Sequence, residues 1–305
     1  AVEQEQDSIY KDSYTNRQLL RRIQMTAAYA VVDLKNQLLQ GKMIPYRFEM
    51  TFNRSYADPI CRDLHSADLV LEDGSHMKLS GVVDRMDICQ DEEHVYVKVL
   101  DYKSSGKEID VTKVSVGLQL QLLIYTNVVL EVLQREFPNK KIIPAGSLYY
   151  GFRVPMVEKT SKKLTEALQH KIQRETAMTG VVNKEEPSIS YLGDIETLSV
   201  KRKKTEEGTE IEESDTVLTE SNYRQLLEEV TRTAAQIGSD MKRGDIPIQP
   251  VRTGRSVPCD YCAYREVCKL DCVDGGNQIY TVQQLKHSRK GESRHEMDKG
   301  TAEGH

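Results

Sequence analysis

Residues 81–105, GVVDRMDICQDEEHVYVKVLDYKSS, constrain the fold of this chain more than any other stretch. Two runs rich in Val, Ile and Tyr flank a polar turn at 90–93, so they read as the strands of an antiparallel hairpin. The second run contains V-Y-V-K-V-L, which should be largely buried and is therefore a poor place for an idle charge at Asp101. Asp101 and Lys103 stand two apart on that strand, so their side chains leave the same face. The hairpin brings Asp84 alongside from the preceding strand. Two carboxylates and an ammonium at the end of a β-ribbon can form a metal-dependent hydrolase site. The carboxylates suit Mg2+ or Mn2+, and the lysine can hold an attacking water and offset transition-state charge. A lone D-x-K on a strand is more often a solvated, salt-bridged edge. The apolar lead-ins to both aspartates, and a following helix with Gln121 and Tyr125 four apart on one face, favour the site.

The flanking pattern predicts an α/β core with a mixed sheet. Leu20, Ile23, Ala27, Val31, Leu34 and Leu38 recur at helical steps over residues 14–40, and Gly41 is a natural stop. Strands are expected at 46–53, 67–71 and 77–89, the last two joined by a turn at Asp73-Gly74. After the hairpin come a helix over 112–137 closed by Pro138, a strand over 142–153 and a helix over 161–180. Residues 183–217 are polar, with a hairpin around KRKKTEEGTE. A helix over 220–243 takes Thr219 as its N-cap and Gly244 just past its end. From about residue 283 the tail is charged and lacks apolar residues, so it is expected to be disordered.

The 305 residues fit one large domain or two small ones, and no stretch has the roughly 18 apolar residues a membrane helix needs. The acidic, polar start reads as neither a signal peptide nor a transit peptide, which makes the chain cytoplasmic. A net charge of −5 argues against coating nucleic acid by bulk positive charge, yet leaves a nuclease open. The basic groups at 159–163 (KTSKK) and 201–204 (KRKK) could touch phosphates, although such runs are more often solvated loops.

The motifs G-V-V-D, L-D-Y-K and Q-L-L-I-Y, in that order and at this spacing, resemble those of RecB-type nucleases in the PD-(D/E)XK superfamily. The resemblance implies a restriction-endonuclease-like core whose mixed central sheet is flanked by helices. It makes Asp84 and Asp101 the metal-binding carboxylates, the Tyr102 backbone carbonyl a further Mg2+ or Mn2+ ligand, and Lys103 the catalytic lysine. Gln121 and Tyr125 correspond to a Q-x-x-x-Y helix that lines the site and contacts DNA. Glu49 matches a glutamate often found on the strand before the core motifs; a half-exposed strand residue is an equal alternative.

Of the six cysteines, Cys61 and Cys89 stand alone, while Cys259, Cys262, Cys268 and Cys272 fall within fourteen residues. Without a secretion signal, such a cluster suggests metal or iron–sulfur ligation before disulfides. P-C-D-Y-C-A-Y-R-E-V-C resembles the C-terminal part of the iron–sulfur staple of AddB-type nucleases. By that resemblance, Cys259, Cys262 and Cys268 would ligate a [4Fe–4S] cluster whose fourth cysteine lies upstream of the core. No cysteine precedes Cys61 and no histidine precedes His65, so the family's upstream cysteine and metal-binding histidine are expected to lie before Ala1. Cluster assembly and activity of the chain alone are then in doubt, with Cys272 a less favoured substitute ligand.

The resemblance further implies an exonuclease domain that cuts one strand unwound by an AddA-type helicase–nuclease partner, in double-strand-break repair by homologous recombination. The absence of a Walker motif fits a partner that hydrolyses ATP. Alternatives are a CRISPR-associated RecB-like nuclease and a non-catalytic DNA-binding or scaffold module. The expected division is 1–45 helical, 46–182 nuclease core, 183–250 charged insert and helix, 251–275 cysteine segment, and 276–305 tail.

Overall fold

The computed structural model describes residues 13–53, 59, 67–103, 108–151, 178–193, 195–198, 200–205, 208–252, 257–268 and 279–281. A long helix α1 (Tyr14–Gln40) leads into the strand β1 (Ile44–Phe52). A small ribbon of β2 (Asp68–Val70) and β3 (His76–Lys78) precedes the hairpin of β4 (Gly81–Gln90) and β5 (His94–Lys103). Then come α2 (Val111–Val114), α3 (Gln121–Glu136), β6 (Lys141–Gly151), β7 (Thr179–Asn183) and α4 (Ser188–Leu192). A hairpin of β8 (Arg202–Thr205) and β9 (Gly208–Ile211), a short β10 (Val217–Leu218) and α5 (Glu220–Arg243) follow. Short β11 (Val251–Arg252), α6 (Arg265–Cys268) and β12 (Tyr280–Thr281) lie beyond.

The central sheet has the order β1-β4-β5-β6-β7-β10. It is mixed: β5 pairs parallel with β6 and β7 with β10, whereas β1/β4, β4/β5 and β6/β7 are antiparallel. Valines 95, 97 and 99 of β5 face α3 and α5, and Tyr96 and Leu100 face the side covered by α1 and α4. Helix α3 buries Leu122, Leu123, Val128, Val129, Val132 and Leu133, each worth about 1.5–3 kcal/mol by transfer. Among the described residues, no helix is long and apolar enough to cross a membrane.

Several expected elements change on folding. The expected strand 77–89 is two strands, because Leu79 closes the β2–β3 ribbon through its N–H to the Ala67 carbonyl, and β4 then starts afresh at Gly81. The expected helix 112–137 is broken into α2 and α3 where Gly117 (φ 87°) and Gln119 (φ 59°) adopt the left-handed region. Helix α1 ends at Gly41 as expected, but its contact face is shorter than the periodicity suggests. Ile23 and Val31 are exposed, and the described contacts come from residues of its second half, among them Ala30, Asp33, Leu34 and Gln37. The end of the expected helix 161–180 is strand from Thr179, preceded by the buried Met178; residues 161–177, like the KTSKK group and the tail, lie outside the described residues. Helix α5 keeps its expected bounds and caps: the Thr219 hydroxyl accepts from the Asn222 N–H, and Gly244 takes φ 77°.

Candidate active site

The register of the hairpin, Arg85 opposite Leu100 and onward, is fixed by the short turn at Asp91. The Asp91 carboxylate accepts from the backbone N–H groups of Glu93 and His94 and locks that turn. On its other edge, β4 faces β1, where Phe48 pairs with Arg85 and Met50 with Val83, so Glu49 stands opposite Asp84. Glu49 is exposed with φ 49°, and the facing changes here: Phe48 lies against Arg85, whereas Met50, two residues on, joins the core under α3. A change of facing without a register shift therefore sits at the Glu49–Asp84 step, apart from the register shift between Pro45 and Arg47.

At the same level the β4–β5 ladder stops, while β5 continues beside β6 to Lys103 opposite Gly151. An Asp84 carboxylate oxygen accepts the Tyr102 backbone N–H at 2.8 Å. Asp101, only 2% exposed, has a carboxylate oxygen 2.5 Å from Lys103 Nζ, and the Lys103 side chain is 26% exposed. Asp84 thus bonds the backbone of the residue that follows Asp101, and the Lys103 ammonium pairs with Asp101. Tyr149, opposite Asp101 on β6, has its phenol pKa pushed up to about 12 by burial and by the Asp101 charge. Its ring lies 5.7 Å from Lys103 Nζ.

Helix α3 begins beside this strand end. Gln121 is exposed and donates its side-chain N–H to the Tyr125 hydroxyl at 3.0 Å. The Tyr125 ring meets Phe52 edge-on at 5.8 Å. Both rings press on Gly81, where an added Cβ would lie 2.9 Å from each. The glycine that opens G-V-V-D is therefore a packing requirement: it lets the Gln121–Tyr125 face close on the strand that carries Asp84.

Asp84 and Asp101 offer hard carboxylate oxygens, a donor chemistry that suits an ion that keeps several waters and takes phosphate oxygens. Among the described residues, no three His, Cys, Asp or Glu side chains converge on one point. That holds for the cysteines too. Cys259 and Cys262 are joined by a turn (Cys262 N–H to the Cys259 carbonyl, 3.3 Å), and Cys268 closes α6, but the three thiols do not form a ligand set in this structure. His65, Cys61 and Cys272 lie outside the described residues.

On the opposite face of the hairpin is a charged cluster that the motif reading missed. Arg85 (4% exposed) binds both oxygens of the fully buried Asp87, Nε at 2.6 Å and Nη2 at 2.8 Å. Lys98, equally buried, places Nζ 2.9 Å from the same carboxylate. Burial opposes the Arg85 charge, but Asp87 and the Tyr102 hydroxyl more than offset it; for Lys98, burial outweighs Asp87 and the pKa falls. The signal was in the sequence. Arg85 and Asp87 are two apart in D-R-M-D, and Lys98 interrupts the very run that marked Asp101 as unusual.

Residues 1–269 match the family described as the PD-(D/E)XK nuclease superfamily. The chain is 31% identical over 272 residues to the B-type subunit of the ATP-dependent helicase/deoxyribonuclease of Alkaliphilus oremlandii, covering 88% of this chain and 23% of that protein. Against the protein of the same name from Alkaliphilus metalliredigens it is 30% identical over 275 residues, covering 88% and 23%. Against that of Lachnoclostridium phytofermentans it is 28% identical over 327 residues, covering all of this chain and 26% of the relative. The chain thus spans about a quarter of the length of these relatives.

Proposed function

Since the chain belongs to the PD-(D/E)XK nuclease superfamily, we propose that it is the nuclease domain of an AddB-type helicase–nuclease subunit. In this reading it acts in the cytoplasm with an AddA-type partner, hydrolysing phosphodiester bonds of one unwound DNA strand during double-strand-break repair by homologous recombination. The observation that carries it is the strand end itself, with Asp84 bound to the Tyr102 N–H and Lys103 2.5 Å from the buried Asp101. The two Alkaliphilus relatives carry deoxyribonuclease in their names, which supports the same reading.

Asp84, Asp101 and the Tyr102 carbonyl would hold a Mg2+ or Mn2+ ion, which when bound supplies charge neutralisation at the phosphate. Lys103 compensates the buried Asp101 and, being partly exposed, can also donate to a water or a phosphate oxygen. In the hydrolysis a water oxygen bonds to phosphorus, one bridging P–O bond breaks, and the departing oxygen takes up a proton. Gln121, with a second N–H and a carbonyl beyond its bond to Tyr125, can orient the strand at the mouth. Cys259, Cys262 and Cys268 would serve a [4Fe–4S] cluster once a fourth thiolate joins them; no step of the hydrolysis passes through it.

Asp101→Ala in the full-length protein, assembled with its helicase partner, should abolish Mg2+-dependent cutting of single-stranded DNA. Folding should persist, because removing one carboxylate from the site relieves repulsion in the metal-free state. Wild-type digestion by this variant would remove the site assignment.

A further inference from the structure

Residues 101–103 are the least supported part of β5. Their ladder continues only toward β6, since pairing with β4 ends at Arg85 opposite Leu100. Two bonds from β4 stand in for the missing ladder, and both converge on Tyr102. Its backbone N–H is held by Asp84, and its hydroxyl accepts from Arg85 Nη1 at 3.3 Å. Arg85 is itself immobilised by both oxygens of Asp87, which Lys98 pins from the facing position on β5. The Phe48 ring covers the guanidinium, 5.9 Å from its centroid. The Tyr102 ring is steadied from β6 by an edge-on contact with Tyr150 at 6.0 Å. A buried, doubly anchored cation on one face of the sheet thus grips the residue that lies between Asp101 and Lys103, whose side chains leave by the other face.

We infer that Arg85, acting through the Tyr102 hydroxyl, is a positioning residue. It sets the path of the backbone at 101–103 and with it the spacing of Asp84, the Tyr102 carbonyl and Asp101 as metal ligands. The inference rests on the proposed metal-binding role of those groups. A backbone carbonyl is aimed by what holds its residue in place, and here the guanidinium that reaches that residue's tip is itself fixed by a bidentate carboxylate. Asp87 keeps Arg85 charged and oriented, and Lys98 holds Asp87 from β5; they do not touch the site.

The test is titration of the 305-residue chain with Mn2+, followed by electron paramagnetic resonance of the free ion. Tyr102→Phe keeps the ring and removes the acceptor for Arg85. It should weaken Mn2+ binding about tenfold, the low end of what losing a group that orients a metal ligand costs. Tyr223→Phe removes a buried hydroxyl that bonds Ser147 instead, and should leave Mn2+ binding unchanged. Asp101→Asn should lose the site. If Asp101→Asn abolishes binding while Tyr102→Phe binds as wild type, the positioning role is wrong and the metal site stands. Equal weakening by Tyr102→Phe and Tyr223→Phe would also overturn it, by showing general loosening. Unchanged binding in Asp101→Asn would remove the metal reading, and this inference with it.

Discussion

The β4–β5 hairpin and the cysteine segment at residues 257–268 both stand out in the sequence, and they are built in opposite ways. In the hairpin, each charged group that matters lies on a strand with a neighbour on at least one side, so its direction is set by pairing and burial before any ligand arrives. Asp101 is buried, Arg85 and Lys98 share Asp87, and Tyr102 is held at both ends. In the cysteine segment, Cys259 lies on a one-turn 3-10 helix, Cys262 just past its end and Cys268 on a four-residue helix, and Tyr261, Tyr264 and Val267 face solvent. A site on a sheet is preorganised by the fold, whereas a thiolate site on short turns takes its geometry from the metal it binds.

That contrast predicts different stability responses in metal-free protein. Asp87→Ala leaves Arg85 and Lys98 buried without their counterion and should cost about 3–5 kcal/mol, read by urea denaturation of the 305-residue chain. A loss below about 1 kcal/mol, the level of an exposed pair, would mean that water reaches the cluster. Gly81→Ala drives a methyl into the Phe52 and Tyr125 rings and should cost about 1–3 kcal/mol in the same measurement. A neutral result would show that α3 can shift away from the strand without loss.

Alkaline pH offers a third comparison. The folded pKa of Tyr149, about 12, lies above its ordinary value of 10, so its contribution is full below pH 10 and is lost as pH rises through 12. At about pH 11 the stability lost through this group should be roughly 1.4 kcal/mol, and Tyr149→Phe should lack that increment. The smallest effect belongs to the other region: Cys259→Ser should change metal-free stability by no more than about 0.5 kcal/mol, as for a surface position with few contacts. A larger loss would reveal packing that the hairpin comparison denies to this segment.

What could be read from the sequence follows the same division. The hairpin, its turn and α5 with both caps were legible because local signals and tertiary packing agree: alternation ends at a polar turn, and Thr219 and Gly244 bound a periodic helix. The break between α2 and α3 was not. Gly117 and Gln119 sit inside an apolar helical pattern, and only packing of Gly117 against Ile237 of α5 shows why the chain turns there. Helix α1 was legible in extent but not in its contacts, because periodicity shows which side chains align and not how much of the helix finds a neighbour. Asp84, Asp101 and Lys103 stand out through their motif, while Arg85, Asp87 and Lys98 were passed over because a charge in a strand was weighed at Asp101 alone.

The central claim is that the Asp101–Lys103 pair is chemical machinery and not a salt-bridged strand end. An ion pair this exposed on its lysine side contributes about 0–1 kcal/mol if its role is structural. A lysine that meets developing phosphoryl charge is worth on the order of 100- to 1,000-fold in rate. Single-turnover cleavage of single-stranded DNA by the full-length Lys103→Ala protein, with DNA-end binding and unwinding by the helicase partner measured on the same preparation, separates the two. The account predicts a fall in cleavage of at least that order with binding and unwinding nearly unchanged. Cleavage at the wild-type rate would contradict it and leave L-D-Y-K as a structural feature of the sheet.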